Sequence, residues 1–100
     1  MVKHVILWKL KEELTAEEKE NVKAGIKEGL EGLAGKLPGL VDVKVNINGL
    51  PSSTVDVMLD TTFTDADALK AYSTNPLHVA VADGKVRPYT AVRSCLDYEV

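Results

Sequence analysis

A tyrosine and a histidine stand six positions apart in the segment AYSTNPLHVAVAD, from Ala71 to Asp83. Tyr72 and His78 are residue types that handle protons, because a neutral imidazole accepts a proton near neutral pH and a phenol donates a hydrogen bond to a developing oxyanion. The other histidine, His4, could orient this pair or share its proton. Together the three side chains would support an aldol-type cyclisation, an isomerisation or a decarboxylation of a carbonyl compound without a cofactor.

Each of the three side chains also has a purely structural interpretation. His78 could brace a joint between two helices, with its ring nitrogens bonded to backbone carbonyls. Tyr72 could be a core ring whose hydroxyl reaches the surface, and His4 could bond to a side chain of a neighbouring strand. Clustered titratable groups indicate function only on average, so the sequence leaves both interpretations open.

Metal and anion binding receive less support from the residues. The two histidines lie far apart in the chain and give no short metal-ligand spacing, although Asp83 or Asp97 could complete a site. We therefore expect no metal and no cofactor. Arg87, Arg93 and Lys85 could bind a carboxylate ligand, or they could form a solvated rim of ion pairs that each contribute little.

The composition restricts the class of protein. One hundred residues form a single domain, residues 1–100, and a hydrophobic content of 45% is ordinary for a soluble globular chain. The net charge of −3, with lysine and glutamate interspersed, argues against a nucleic-acid partner. No apolar run is long enough to cross a bilayer. The single cysteine, Cys95, is expected to be a small buried side chain and fits a reducing cytoplasm.

Hydrophobic periodicity and turn residues predict the elements that position these side chains. The predicted strands are Val2–Leu10, Val41–Ile47, Val55–Phe63 and Thr90–Tyr98. The predicted helices run from Thr15 to Leu37, from a cap at Thr64 to the break at Asn75-Pro76, and from Pro76 to about Gly84. The order β-α-β-β-α-(α)-β is typical of an α+β, ferredoxin-like protomer with a four-stranded antiparallel sheet and helices on one face.

The first helix has a clear start and an unusual interior. Thr15-Ala-Glu-Glu18 has the form of a capping box, and an apolar stripe continues to Leu37, just before Pro38-Gly39. Glycine inside a helix costs about 1 kcal/mol relative to alanine, yet this helix contains three glycines: Gly25, Gly29 and Gly32. They either let the helix approach the sheet closely or make it pliable, and the sequence does not decide between these roles.

The first strand is apolar on both faces, which is typical of a central strand. His4, Ile6 and Trp8 share one face, while Val5 and Leu7 share the other. If His4 points to the helical side, it converges with Tyr72 and His78 on one cavity beneath the second helix. The expected lining of this ligand pocket is Ile6, Trp8, Val57 and Leu59.

The second face of the predicted sheet lacks a cover within the chain. Helices from so short a chain cover one face. Strand one places either Val5 and Leu7 or the alternating set Ile6, Trp8 and Leu10 on the other. That is a large apolar area to leave in water. A self-complementary contact with a second copy would bury it, so we expect a homodimer.

Several segments resemble the stress-responsive dimeric α/β-barrel (Dabb) domain family. The resemblance lies in VKHVILWKLK at the start, the long Glu/Lys-rich helix, LKAYSTNPLHVAVAD and the terminal CLDYEV, and it covers nearly the whole chain. It implies a ferredoxin-like protomer and a dimer whose two sheets form a barrel. Many bacterial members have no known activity, whereas plant members include stress-associated oligomers and a polyketide cyclase.

The resemblance also bears on the candidate site. In the plant cyclase a histidine and a tyrosine stand where His78 and Tyr72 stand here, and a further pocket histidine matches His4. It implies first a stress-related or small-ligand-binding protein, since nothing in the residues requires chemistry. The alternative is a cofactor-independent cyclase, isomerase or lyase that acts on a small polyketide-like carbonyl compound. The long helix offers aliphatic side chains where the cyclase has aromatic ones, which argues against the same large substrate.

Overall fold

Four strands and three α-helices make up the protein in a computed structural model that describes residues 1–100. The strands are β1 (Val2–Leu10), β2 (Leu40–Asn46), β3 (Val57–Phe63) and β4 (Thr90–Glu99). The helices are α1 (Ala16–Glu31), α2 (Ala66–Thr74) and α3 (Pro76–Val81), and α3 leads into a π-helical segment (Ala82–Val86) and a 3-10 turn (Arg87–Tyr89). None of the helices combines the length and the apolar character needed to cross a membrane.

The strands form one antiparallel sheet in the order β2-β3-β1-β4, which confirms the predicted ferredoxin-like fold and the central place of β1. His4 on β1 lies opposite Thr61 of β3 on one side and Asp97 of β4 on the other. The Thr61 hydroxyl donates to the His4 carbonyl at 2.7 Å. The register of three strands therefore sets the surroundings of this histidine.

The two faces of the sheet differ in cover. The helices cover the face that carries His4, Ile6 and Trp8, all of which are buried. The opposite face, here called the outer face, carries Val5 and Leu7 of β1, so the first of the two sequence alternatives is right. Strand pairing adds further apolar side chains to it, among them Met58, Val92, Leu96 and Tyr98.

The first helix starts as predicted and ends earlier. The capping box is present, because the Thr15 hydroxyl accepts from the Glu18 amide at 3.1 Å and the Glu18 carboxylate accepts from the Thr15 amide at 2.8 Å. The expectation that the helix reaches Leu37 is wrong, since it ends at Glu31. Turns follow, and Gly35 adopts a φ of 76°, which a right-handed helix cannot accommodate. Leu37 is nevertheless buried in the core.

The three helix glycines have different roles. A Cβ at Gly29 would lie 2.9 Å from Val81 Cγ1, so this glycine allows α1 to approach α3 rather than the sheet. A Cβ at Gly25 would meet Lys85 Cδ at an ordinary 3.7 Å. Gly32 stands at the C-cap, outside the helix.

Two helix N-caps define the joint between α2 and α3. The side chain of Asp65, not the predicted Thr64, caps α2 by accepting a backbone amide at 2.8 Å. The side chain of Asn75 then accepts from the Leu77 amide at 2.9 Å, with Pro76 in the first turn of α3. The predicted break at Asn75-Pro76 is confirmed, and it turns α3 back across the helical face of the sheet.

The middle strands differ slightly from their predicted bounds. A bulge between Leu40 and Asp42 shifts the alternation at the start of β2. Val41 is therefore exposed, although it stands two positions before the buried Val43. The third strand begins at Val57 rather than Val55.

Candidate active site

A cavity of about 160 Å³ lies between the helical face of the sheet and the joint of α2 and α3. Its floor is formed by β1 through His4, Ile6 and Trp8, and its walls include Tyr72 of α2 and His78 of α3. We call it the site cavity. The structure thus brings together the three side chains that the sequence suggested for proton transfer, along with two of the four expected lining residues.

The other two expected lining residues lie elsewhere. Val57 and Leu59 belong to the central core, each 1% exposed, and neither lines the site cavity. The period-two pattern places them on the correct face of β3, but β3 lies on the far side of β1 from the cavity. Ala82 and Val86 of the π-helical segment line the cavity instead. The sequence contained no sign of them, because a π-helical turn has no distinctive residue pattern.

Tyr72 and His78 lie against each other in this cavity. Their ring centroids are 4.1 Å apart, with the planes tilted by 39°. The Tyr72 hydroxyl and His78 Nδ1 are both buried, and neither has a hydrogen-bond partner. A buried polar atom without a partner costs about 1–3 kcal/mol, so it is rare in a native fold unless a role compensates for it.

Burial sets the protonation of both groups. It raises the pKa of Tyr72 to about 12, so the phenol stays protonated and can donate a hydrogen bond. Burial also lowers the pKa of His78, and the positive charges of Arg87 and Arg93 act in the same direction, while a hydrogen bond between the imidazole and the Ser73 backbone opposes the change. The imidazole is therefore neutral at pH 7 and free to accept a proton.

His4 has a carboxylate partner, which His78 lacks. Its Nδ1 lies 2.5 Å from Asp97 Oδ1, and its ring centroid is 6.2 Å from that of Tyr72. In this arrangement Nδ1–H donates to the carboxylate, which orients the ring and leaves Nε2 as the proton acceptor. Asp97 was considered from the sequence only as a possible metal ligand, because nothing in a single sequence links residues 4 and 97.

Three possible metal ligands occur here. Atoms of His4, Cys95 and Asp97 lie within 4.8 Å of one another. The 2.5 Å between the His4 nitrogen and the Asp97 oxygen is a hydrogen-bond distance, whereas ligands around tetrahedral zinc lie roughly 3.3 Å apart. Desolvation and the Asp97 carboxylate also raise the pKa of Cys95, which keeps the thiol protonated. The contact between His4 and Asp97 in this structure is therefore a hydrogen bond.

Cys95 itself corrects an expectation. It is a free, exposed cysteine rather than a buried one. The reason is its place on β4, which is an edge strand of the sheet that no α-helix covers.

Two larger grooves, of about 380 and 400 Å³, run beside α1. Neither is lined by a histidine or by a buried polar atom that lacks a partner. The site cavity is smaller, yet it holds the unpaired groups and is the better candidate for chemistry.

A sequence model of the stress responsive A/B barrel domain (Dabb) matches residues 2–100. The chain belongs to this family. No match is found among curated protein sequences. The resemblance drawn from VKHVILWKLK and LKAYSTNPLHVAVAD is thereby confirmed.

Solved structures place this Dabb protein among similar folds. A dimeric protein of unknown function from Bacteroides fragilis is 34% identical, with a TM-score of 0.92 over 99% of this chain and 95% of that one. A dimeric ferredoxin-like protein of unknown function from Jannaschia sp. is 24% identical, with a TM-score of 0.79 over 99% and 98% of the two chains. A hydroxynitrile lyase from Passiflora edulis is 16% identical, with a TM-score of 0.71 over 97% and 90%, a likeness that shows the fold alone.

Proposed function

We propose that this Dabb protein catalyses a cofactor-independent proton transfer on a small carbonyl compound. His78 is the base and Tyr72 is the hydrogen-bond donor to the carbonyl oxygen. The observation that carries this proposal is the pair of buried polar atoms, the Tyr72 hydroxyl and His78 Nδ1, which have no partners and belong to one cavity. A carbonyl substrate supplies the missing acceptor and the missing proton.

The mechanism uses the groups as their surroundings leave them. With its hydrogen on Nε2, the neutral His78 accepts a proton at Nδ1 from the carbon next to the carbonyl. The C–H electron pair becomes an enolate, and the protonated Tyr72 donates to the enolate oxygen. The enolate then takes the proton back at the same carbon, takes it at the γ-carbon where a double bond of the substrate extends the enolate, or attacks a second carbonyl. His4, oriented by Asp97, is a positioning residue and a second proton acceptor.

The size of the cavity limits the substrate. Pockets for drug-sized ligands occupy roughly 300–1,000 Å³, whereas the site cavity measures about 160 Å³. A compound of a few carbon atoms fits this space, and an extended polyketide does not. This agrees with the aliphatic character of the long helix.

Ligand binding without chemistry, the first expectation from the sequence, would use the same cavity. The position of a base beside a hydrogen-bond donor in one cavity favours catalysis, because proton transfer uses both groups and an apolar ligand uses neither. The fold also accommodates a lyase, as the hydroxynitrile lyase with the same architecture illustrates.

We also propose that the protein is a homodimer that buries the outer face. The apolar side chains there remain in water in a single chain, and Leu96 is 64% exposed. One of the lysines of this face, Lys3, is paired with Asp60 at 2.6 Å and Thr62 at 2.9 Å, so its charge does not oppose association. The similar proteins from Bacteroides fragilis and Jannaschia sp. are dimers. We retain a cytoplasmic location as a proposal because Cys95 is a free thiol.

Deuterium exchange tests the catalytic proposal without knowledge of the natural reaction. Small ketones and oxo acids are incubated with the protein in heavy water, and loss of their α-proton signals is followed by NMR. The unaltered protein should accelerate exchange of at least one probe, and His78→Asn should lose that acceleration. A Lys70→Ala variant on exposed α2 serves as the control. Exchange that proceeds unchanged in His78→Asn, or no acceleration of any probe, contradicts the proposal.

Dimer formation has its own test. Leu96→Asp places a charge on the outer face, so the solution mass should fall to that of one chain in analytical ultracentrifugation. Glu99→Gln on the same strand, which lies opposite Val2 on the helical side, is the control. A single-chain mass for the unaltered protein at micromolar concentration would contradict the dimer.

A further inference from the structure

We infer that the substrate carries a carboxylate as well as the reacting carbonyl, and that Arg93 binds this carboxylate at the site cavity. This inference rests on the proposed function and adds to it the class of substrate, a small oxo acid, together with a residue that determines specificity.

The position of Arg93 follows from strand register. It lies opposite Trp8 in the β1–β4 pairing, so its side chain is on the helical side of the sheet, and it lines the site cavity. Arg93 forms no ion pair, since the six salt bridges of the protein involve other residues. Its guanidinium fork has the shape and charge that bind a carboxylate through two parallel hydrogen bonds.

The second arginine at the cavity differs in this respect. Arg87 is one turn from Asp83 and pairs with it. The Nη1 donor of Arg87 is therefore engaged, while no donor of Arg93 pairs with a carboxylate. Of the two cations, Arg93 is the one available to a ligand.

The lining of the site cavity is otherwise free of negative charge. It contains no aspartate or glutamate. The nearby Asp97 is engaged by His4 at 2.5 Å. After burial, which is the larger cause, the charges of both arginines also lower the pKa of His78. A cavity with positive charge and apolar walls of low polarisability attracts anions and concentrates them.

The remaining groups indicate how an oxo acid would lie. Arg93 on β4 holds the carboxylate, and the carbonyl oxygen meets the unpaired hydroxyl of Tyr72 on α2. Contact at both ends fixes the carbon between them relative to His78, which reduces the freedom that must be lost before proton transfer. The bound carboxylate also offsets the positive field of the arginines, so it raises the pKa of His78 and makes it a stronger base.

This arrangement selects among the possible reactions. Loss of carbon dioxide would remove charge from the carboxylate in the transition state, so an arginine that stabilises the bound carboxylate opposes it. Enolisation leaves that charge in place. The proton moves from the carbon next to the carbonyl to His78 Nδ1, the C–H electrons form the enolate, and the proton returns to the same carbon, or to the γ-carbon where a double bond of the substrate extends the enolate. The reaction is balanced without an oxidant, a reductant or a leaving group.

A matched pair of probes tests the inference. 4-Oxopentanoate and 4-oxopentanamide have nearly the same size and the same ketone, and they differ in charge. In calorimetric or NMR titrations, the unaltered protein should bind the acid at least ten-fold more tightly than the amide. Arg93→Gln should remove this preference, and Arg93→Lys should restore part of it. Lys85→Gln removes an equal charge from an exposed neighbouring site and should keep the preference.

The outcomes separate this inference from the proposed function. Equal binding of acid and amide, no measurable binding of either, or a preference that survives Arg93→Gln overturns the carboxylate site. If His78-dependent deuterium exchange on neutral ketones persists in that case, the catalytic proposal still stands. Conversely, an Arg93-dependent preference without any exchange would support an anion-binding site and contradict catalysis.

A second readout follows His78 directly. The imidazole signals of the protein, titrated by NMR with and without 4-oxopentanoate, should show a higher pKa for His78 when the acid is bound. The amide should not produce this change. An unchanged pKa under saturation with the acid would contradict the placement of the carboxylate near His78.

Discussion

The two histidines line one cavity, His4 on its floor and His78 on its wall, and they differ in what surrounds them. His4 belongs to the β1–β4 region, where strand pairing supplies a carboxylate at 2.5 Å. His78 belongs to the α2–α3 joint, where the nearest ring is Tyr72 and Nδ1 has no partner. The satisfied histidine is part of the framework, and the unsatisfied one is available for a ligand. The comparison shows that two residues of the same type differ in what they can still bind, because their hydrogen-bond partners differ.

The largest expected effect comes from removal of the unsatisfied imidazole. His78→Asn should slow deuterium exchange of a responsive probe by about 1,000-fold, because a general base contributes roughly 10²–10⁴-fold. The free energy of unfolding should fall by no more than about 1 kcal/mol, since His78 Nδ1 is unpaired and the ring's one partner in the fold is the Ser73 backbone. Urea unfolding measured beside the exchange rate checks both parts. A large loss of stability with unchanged exchange would show that His78 is a brace.

The second largest expected effect concerns Tyr72, whose ring lies against that of His78. Tyr72→Phe should slow exchange by about 100-fold, as expected when one donor to an oxyanion is lost. Stability should stay the same or rise by up to about 1 kcal/mol, because a buried hydroxyl without a partner is removed. A loss of activity together with an unchanged or higher stability would identify the Tyr72 hydroxyl as a functional group. A clear loss of stability would instead mean that the hydroxyl has a partner in solution.

The third expected effect concerns His4, the histidine that has a carboxylate partner. Asp97→Ala removes the partner of buried His4 and should lower the free energy of unfolding by about 1 kcal/mol, a modest value because Asp97 is 45% exposed. Asp83→Ala is the matched control, since it breaks an exposed ion pair with Arg87 and should change stability hardly at all. Equal effects of the two substitutions would remove the distinction between a framework pair and a surface pair.

The smallest effect is the pH dependence that His78 imparts to stability. Its pKa in the folded protein lies below the ordinary value of 6.5, so the unfolded chain binds more protons between these two values. The free energy of unfolding should therefore fall as the pH drops from 6.5 to the folded pKa, and no further below it. His78→Asn should flatten this part of the curve in urea titrations at neutral and mildly acidic pH. An identical slope in both proteins would contradict the assignment.

The sequence correctly predicted the features that depend on interactions between residues close together in the chain. The capping box at Thr15 and the break at Asn75-Pro76 appear as predicted, because each depends on side chains bonded to backbone groups a few residues away. The end of α1 and the bulge beside Val41 were missed. These features arise from how the chain must turn to reach the next strand, and the periodicity of apolar residues continues through both.

The sequence by itself determined the fold, the central place of β1 and the residue types of the candidate site. Alternation of side chains along one strand sufficed to put His4 on the same face as Trp8. These conclusions need only the repeat of a strand or a helix, which the order of residues contains.

Only the tertiary structure decided which polar groups have partners. His4 and Asp97 are 93 positions apart and meet because β1 and β4 pair in one register. The same register puts Arg93 at the cavity without an ion pair. Arg87 also lines the cavity, but it lies one helical turn after Asp83 and forms an ion pair with it. Availability for a ligand is a property of the whole set of contacts around an atom, and distant segments supply those contacts.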